Sequence, residues 1–167
     1  VSGQMPVLSE TDKDFFFLQR NNKADVTNVI IDLCTNRLPK AYNYSAFDNI
    51  QVLSPSKKGE LGTSELNIKL QNALNPKSDD KQEVTIGSKT FRTGDKVMQI
   101  KNNYDIRWFK DNGETGEGIF NGDIGIIEKI DKKVKIIRIS FYDKTASYTY
   151  ESAADLDFAY AVTVHKS

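Results

Sequence analysis

The chain has 167 residues, 38% hydrophobic and 28% charged, and its twenty-three basic and twenty-three acidic side chains cancel. That length holds one ordinary domain or two small ones, and the neutral balance leaves any nucleic-acid partner to be decided by local clustering of charge. One cysteine, Cys34, and one histidine, His165, exclude an intrachain disulfide framework and a structural zinc site of the usual kind.

The chain opens on "VSGQMPVLSE", without an initiator Met and without the basic head and apolar body of a signal peptide. No apolar run approaches the ~20 residues that cross a bilayer. A lone thiol suits a reducing compartment, and the cytoplasm is the expected location. Phe15 to Arg20, in "DFFFLQR", reads as a short buried strand. Lys23 to Arg37 reads as a helix, with Val26, Val29, Ile30 and Leu33 on one face, Asn22 as its N-cap and Pro39 stopping it soon after. "IQVLS", Ile50 to Ser54, is a second strand and leads into the glycine-punctuated loop "PSKKGELGT". Thr63 or Ser64 then opens a second helix, which carries Leu66, Leu70 and Leu74 and ends at Pro76. Strand, helix, strand, helix is the order of a mostly parallel sheet covered by helices.

After "NPKSDDKQE" the pattern changes to short strands. Val84 to Ile86 and Thr90 to Arg92 flank the turn "GSK" as a hairpin. Asp95 to Ile100, Ile124 to Ile130, Val134 to Phe141 and Ser147 to Tyr150 follow, with a long loop predicted from Lys101 to Gly122. Five or so strands over ~60 residues without a helix suggest a small barrel of the SH3 or OB type. "ADLDFAYAVTVHKS" then returns to the style of a buried strand. The expected architecture is α/β plus all-β: a first part over 1–91, an inserted barrel over 92–151 and a return strand over 152–167. A core strand that runs into three polar residues and stops, like a start without Met, reads as a cut end, so a piece of a longer protein is expected.

Four stretches carry candidate chemistry. "SPSKKGELGTSELN" lies between a strand and a helix, where Lys57, Lys58 and the glycines can offer charge and backbone N–H groups to a phosphate. Its spacing is not that of a P-loop, and no GxxxxGK[ST] occurs in the chain. A solvated turn is the plainer reading. "GDKVMQIKNNYD" ends a strand in Asn102, Asn103 and Tyr104, which offers amides for phosphates or base edges and a ring for stacking, against an Asn-rich turn that satisfies its own backbone. In "WFKDNGETGEGIFNGDIG", Trp108 and Phe109 either stack on bases or pin the loop to its own barrel, and Asn121, Gly122 and Asp123 form a tight turn. The terminal "TVHKS" presents Thr163, His165, Lys166 and Ser167, several donors for phosphate oxygens. No second His, no GxSxG elbow and no nucleophile pair accompany them, so no catalytic residue and no metal ligand is assigned.

Taken in order, "QVLSPSKKGELGTSELN", "GDKVMQIKNNYD", "FNGDIGII" and "AYAVTVHKS" resemble the C-terminal half of the RecD/TraA family of superfamily-1 DNA helicases, which includes the alpha chain of exodeoxyribonuclease V. The resemblance runs from about Asp14 to Ser167. It implies a partial RecA-like domain of the P-loop NTPase type with an inserted SH3-like β-barrel. It implies that the last strand continues as "TVHKSQGSE", a motif that faces single-stranded DNA, and that the phosphate-cradling loop lies upstream. Lys57 or Lys58 would then face the nucleotide. Thr163, His165, Lys166 and Ser167 would face DNA, as would Asn102, Asn103, Tyr104, Asn121, Gly122 and Asp123. ATP and Mg2+ would serve the parent protein, with neither expected on this piece alone. The implied partners are single-stranded DNA, the upstream motor domain and other exodeoxyribonuclease V subunits, with translocation 5′ to 3′. The rival is a non-enzymatic SH3- or OB-like binding module fused to a small α/β domain.

Overall fold

The computed structural model describes residues 15–164. Helix α1 (Lys23–Asp32) starts where the Asn22 side chain accepts from the Asp25 N–H at 2.8 Å, while Asp25 accepts in return from the Asn22 amide. It continues as a π-helical turn, Leu33–Arg37, and then as α2 (Leu38–Tyr42). Pro39 therefore does not end the helix. It sits in the first turn after α-helical register resumes, where a missing N–H is tolerated, and the helix closes instead at Asn43 with φ 56°. Residues 15–20 are not a strand, and Phe15, Phe16 and Phe17 are about half exposed. Among the described residues no strand pairs with them, and an apolar run without a ladder partner has no reason to hold strand geometry.

Strand β1 (Val52–Ser54) is followed by α3 (Thr63–Leu74), whose Leu66 and Leu70 are buried. Thr63 opens this helix, as the sequence predicts, and Gly62 is its N-cap. The expected hairpin is present as β2 (Glu83–Ile86) and β3 (Lys89–Arg92). Seven further strands form one open sheet. In chain order these are β4 (Lys96–Gln99), β5 (Asn103–Phe109), β6 (Thr115–Ile119), β7 (Ile124–Asp131), β8 (Ile136–Phe141), β9 (Thr145–Thr149) and β10 (Leu156–Phe158). Their spatial order is β10-β4-β7-β8-β9-β5-β6, every pair antiparallel, a half-barrel. The segment read as a long loop, Lys101 to Gly122, is thus mostly the β5–β6 hairpin. The glycines of "TGEGI" hid β6, because one of them is needed for packing. A Cβ on Gly116 would lie 2.3 Å from Trp108 Cζ2. Strand β10 takes the sheet past position 151, where the sequence drew its boundary.

The last strand, β11 (Ala161–Thr163), leaves this sheet and pairs in parallel with β1, in the register Val52 to Ala161 and Ser54 to Thr163. A parallel pair whose members are separated by the whole half-barrel is the topology of an insertion. The side chain of Asn67 on α3 grips β11 from the side, donating to the Ala161 carbonyl at 2.9 Å and accepting from its N–H at 2.8 Å. The core is continuous across the two layers: Leu66 and Leu70 from α3, Phe91 from the hairpin, and Val97, Ile127, Ile137, Ile139, Tyr148 and Leu156 from the sheet. Phe91 and Phe158 meet with ring centroids 4.9 Å apart. This burial supplies the main favourable term for joining the layers.

Candidate nucleic-acid interface

A cleft of about 470 Å³ opens where the α3/β1/β11 layer meets the half-barrel. One wall is Pro55, Lys57, Thr63, Asn67, Ala161, Val162 and Thr163; the other includes Met98, Lys101, Asn121 and Gly122. Four residues singled out in the sequence, Lys57, Asn121, Gly122 and Thr163, therefore share one cleft although they come from three separate motifs. Lys58 does not line it. His165, Lys166 and Ser167 lie outside the described residues.

The loop after β1 is closed by its own backbone. Ser54 Oγ donates to the Leu61 carbonyl at 2.6 Å. The N–H groups of Gly62, Thr63 and Ser64 donate to the carbonyls of Gly59, Ser56 and Lys57. Those are N–H groups a phosphate would need at the start of α3, so much of the backbone cradle expected from sequence is already occupied, and the lysine side chains are left as the charged groups that can meet an anion. The same fold explains Gly62: a Cβ there would stand 2.5 Å from the Lys58 carbonyl oxygen. Lys57 Nζ lies 4.0 Å from Asp157, which Lys89 also approaches at 3.5 Å. Lys57 is well exposed, and an exposed pair of this kind holds its lysine weakly, by ~0–1 kcal/mol, so an arriving phosphate can replace it.

The opposite wall is built on the turn 120–123. Gly122 has φ 96°, and its N–H donates to the Gln99 carbonyl at 2.8 Å. The Asp123 carboxylate accepts from the Phe120 N–H at 2.9 Å and so closes the turn. Asn102 braces it by accepting from the Asn121 N–H at 2.9 Å and donating towards the Tyr104 hydroxyl. Tyr104 meets Phe120 edge-on with centroids 5.7 Å apart, and both rings are exposed, Tyr104 at 65%. The structure thus gathers Asn102, Tyr104, Asn121, Gly122 and Asp123 into one unit. Asn102 and Asp123 shape the turn, and Tyr104 with Phe120 forms an aromatic ledge beside the cleft. Phe120 was missed from sequence, although an aromatic directly before the "NGD" turn was the available signal. Lys101, exposed beside Asp155 at 3.6 Å, was missed as well.

Asn103 is not part of this unit. Its side chain accepts from the Asp105 N–H at 3.0 Å, and it lines a separate depression with Arg107 and Trp108. Trp108 is pinned to its own sheet, against Gly116 and with the ammoniums of Lys110 and Lys144 each 5.4 Å from its ring centre. Of its two sequence readings the structural one holds. Burial pushes the Cys34 thiol above its ordinary range and the Lys96 ammonium below its own. Both lie in the packed interior and neither reaches the cleft. Among the described residues no cluster of His, Cys, Asp and Glu is suited to hold a metal ion.

Residues 66–141 match the family model of the SH3 domain of ATP-dependent RecD-like DNA helicases. The kinship is with the RecD-like DNA helicases. The half-barrel is accordingly SH3-like, and the resemblance carried by the four motifs stands. A Deinococcus radiodurans protein named ATP-dependent RecD2 DNA helicase is 34% identical over 118 residues, covering 71% of this chain and 14% of that protein. An uncharacterised Methanocaldococcus jannaschii protein is 31% identical over 166 residues, covering 88% of this chain and 14% of its own. The chain thus spans 14% of the length of each of these relatives. Unliganded Pif1 from Bacteroides superposes with a TM-score of 0.42 at 13% identity, over 90% of this chain and 42% of that one. A double mutant of the Bacteroides helicase gives 0.40 at 14% identity, over 91% and 41%.

Proposed function

We propose that this chain is a DNA-gripping part of a RecD-like, ATP-dependent helicase of the exodeoxyribonuclease V alpha type, serving DNA repair and recombination. In this reading the SH3-like half-barrel and β11 hold single-stranded DNA between them. The strand's phosphates meet Lys57, Lys101 and the "TVHKS" end, and a base rests on the ledge of Tyr104 and Phe120. One observation carries the reading: Lys57, Asn121, Gly122 and Thr163, from motifs far apart in the chain, line a single cleft.

The parallel pair supports the second half of the proposal, that β1, α3 and β11 belong to a RecA-like motor layer. Parallel sheets are buried on both faces. Here Leu53 is 61% exposed and Val164 54%, a bare face that further strands and helices of a motor domain would cover. Lys57 lines the cleft, so Lys58 is the lysine left for the nucleotide side of that layer, and ATP with Mg2+ would be held jointly with an upstream domain that supplies the phosphate-cradling loop. The test uses the longer helicase. His165→Ala together with Lys166→Ala should uncouple ATP turnover from DNA while leaving the melting temperature near that of wild type. DNA-stimulated ATPase activity unchanged in the double variant would overturn the assignment.

A further inference from the structure

Asp95 is fully buried at the junction of the two layers and accepts four hydrogen bonds. Oδ2 accepts from Gln71 Nε2 at 2.7 Å and from the Arg92 backbone N–H at 2.7 Å. Oδ1 accepts from Asn75 Nδ2 and from the Tyr160 hydroxyl, each at 2.8 Å. These donors come from α3, from the end of β3 and from the link between β10 and β11, while Asp95 itself leads into β4.

The donors have little freedom to rearrange. The Gln71 amide also donates to the Thr90 carbonyl at 3.0 Å, and the Asn75 amide to the Thr93 carbonyl at 3.0 Å. Turning either amide round to present its oxygen would break that second bond. The Arg92 N–H is backbone, and Arg92 Nη1 itself donates to the Asn75 carbonyl at 2.5 Å. Three fixed donors and one hydroxyl converge on two oxygens, and only a carboxylate accepts from all of them. Apolar packing across the same junction is non-directional and tolerates small rotations, whereas this set of bonds does not.

We propose that Asp95 is a positioning residue, the pin that fixes the SH3-like half-barrel against the α3/β1/β11 layer and so sets the spacing of the two cleft walls. The walls are continuations of the pinned elements. Thr63 and Asn67 precede Gln71 on α3, Met98 follows Asp95 on β4, and Ala161 to Thr163 directly follow Tyr160. The inference concerns the rigidity of the junction and holds whether or not the cleft takes DNA.

The experiment measures the placement of the half-barrel relative to the α3/β1/β11 layer, through one label on each. Spin labels are attached at Lys58→Cys, in the loop after β1, and at Tyr142→Cys, in the exposed β8–β9 turn, in a Cys34→Ser background. Pulsed dipolar spectroscopy then gives the distance distribution. In Asp95→Asn the amide turns a donor towards fixed donors, and the distribution should broaden and shift its mean. Tyr160→Phe removes one donor, keeps the ring that packs on Phe47, and should broaden it to a lesser degree. Phe91→Leu, in the core but outside the hub, should lower the melting temperature and leave the distribution narrow. Should Asp95→Asn fail to fold, Tyr160→Phe decides alone. A wild-type distribution in folded Asp95→Asn or Tyr160→Phe overturns the proposal, as does equal broadening in Phe91→Leu.

Discussion

Replacing Asn67 by Ala removes both hydrogen bonds by which α3 holds β11, the donation to the Ala161 carbonyl at 2.9 Å and the acceptance from its N–H at 2.8 Å. Asn67 and Ala161 are both buried, so the substitution leaves a backbone donor and a backbone acceptor without partners. Each orphaned group costs about 1–3 kcal/mol, which places the sum at about 2–6 kcal/mol. Both residues border the cleft, so water can reach the freed groups and the lower part of that range, about 2–3 kcal/mol, is expected. For a domain of this size each kcal/mol lowers Tm by about 2–4 °C, giving a fall of roughly 4–12 °C. Asn67→Asp keeps the acceptor but turns a carboxylate oxygen towards the Ala161 carbonyl, and should cost at least as much at neutral pH. Urea unfolding with an unchanged m-value is the assay. A loss under about 1 kcal/mol in Asn67→Ala, below the cost of one orphaned group, would refute the clamp.

Gly116→Ala forces a methyl to within 2.3 Å of Trp108 Cζ2, so the ring must move, at about 1–3 kcal/mol. The chain has one Trp, and its fluorescence should shift to the red in the variant. Burial depresses Lys96 below its ordinary 10.5, so the native state binds fewer protons than the unfolded chain over the interval from the depressed value up to 10.5. Wild type should therefore gain stability relative to Lys96→Met as pH rises through that interval, and melting curves from neutral to alkaline pH would show whether it does. The isolated chain should hydrolyse no ATP at any magnesium concentration, since it has no GxxxxGK[ST] loop, and a coupled phosphate-release assay checks this.

The sequence was most legible where one element carried its own pattern. The leucines of α3, the "GSK" turn and the alternation in β7 and β8 each announce their structure locally. "DFFFLQR" was misread because an apolar run predicts a strand only when a ladder partner is at hand, and none is among the described residues. β6 was missed because its two glycines look like loop, although Gly116 serves packing against Trp108. In the cleft, Lys57, Thr163 and the "NGD" turn were legible as motifs. The Asp95 hub was not, because its members are ordinary polar residues scattered over several elements, and only the fold brings their donors to one carboxylate. Asn67 was hidden in the same way, as a polar residue within a helix whose partner lies on a strand far along the chain.

The central claim is that the cleft and its aromatic ledge hold single-stranded DNA. Fluorescence anisotropy of a labelled oligo-dT strand with the purified chain, titrated over a series of salt concentrations, tests it most directly. Binding should be weak and salt-sensitive, with a slope of about 0.7 in log K per log salt for each phosphate contact. Lys57→Ala with Lys101→Ala should lower that slope by about 1.4, two contacts' worth. Tyr104→Ala should weaken binding by ~1–3 kcal/mol with the slope intact, as expected for a lost stacking contact. Affinity and slope unchanged in both variants would contradict the account.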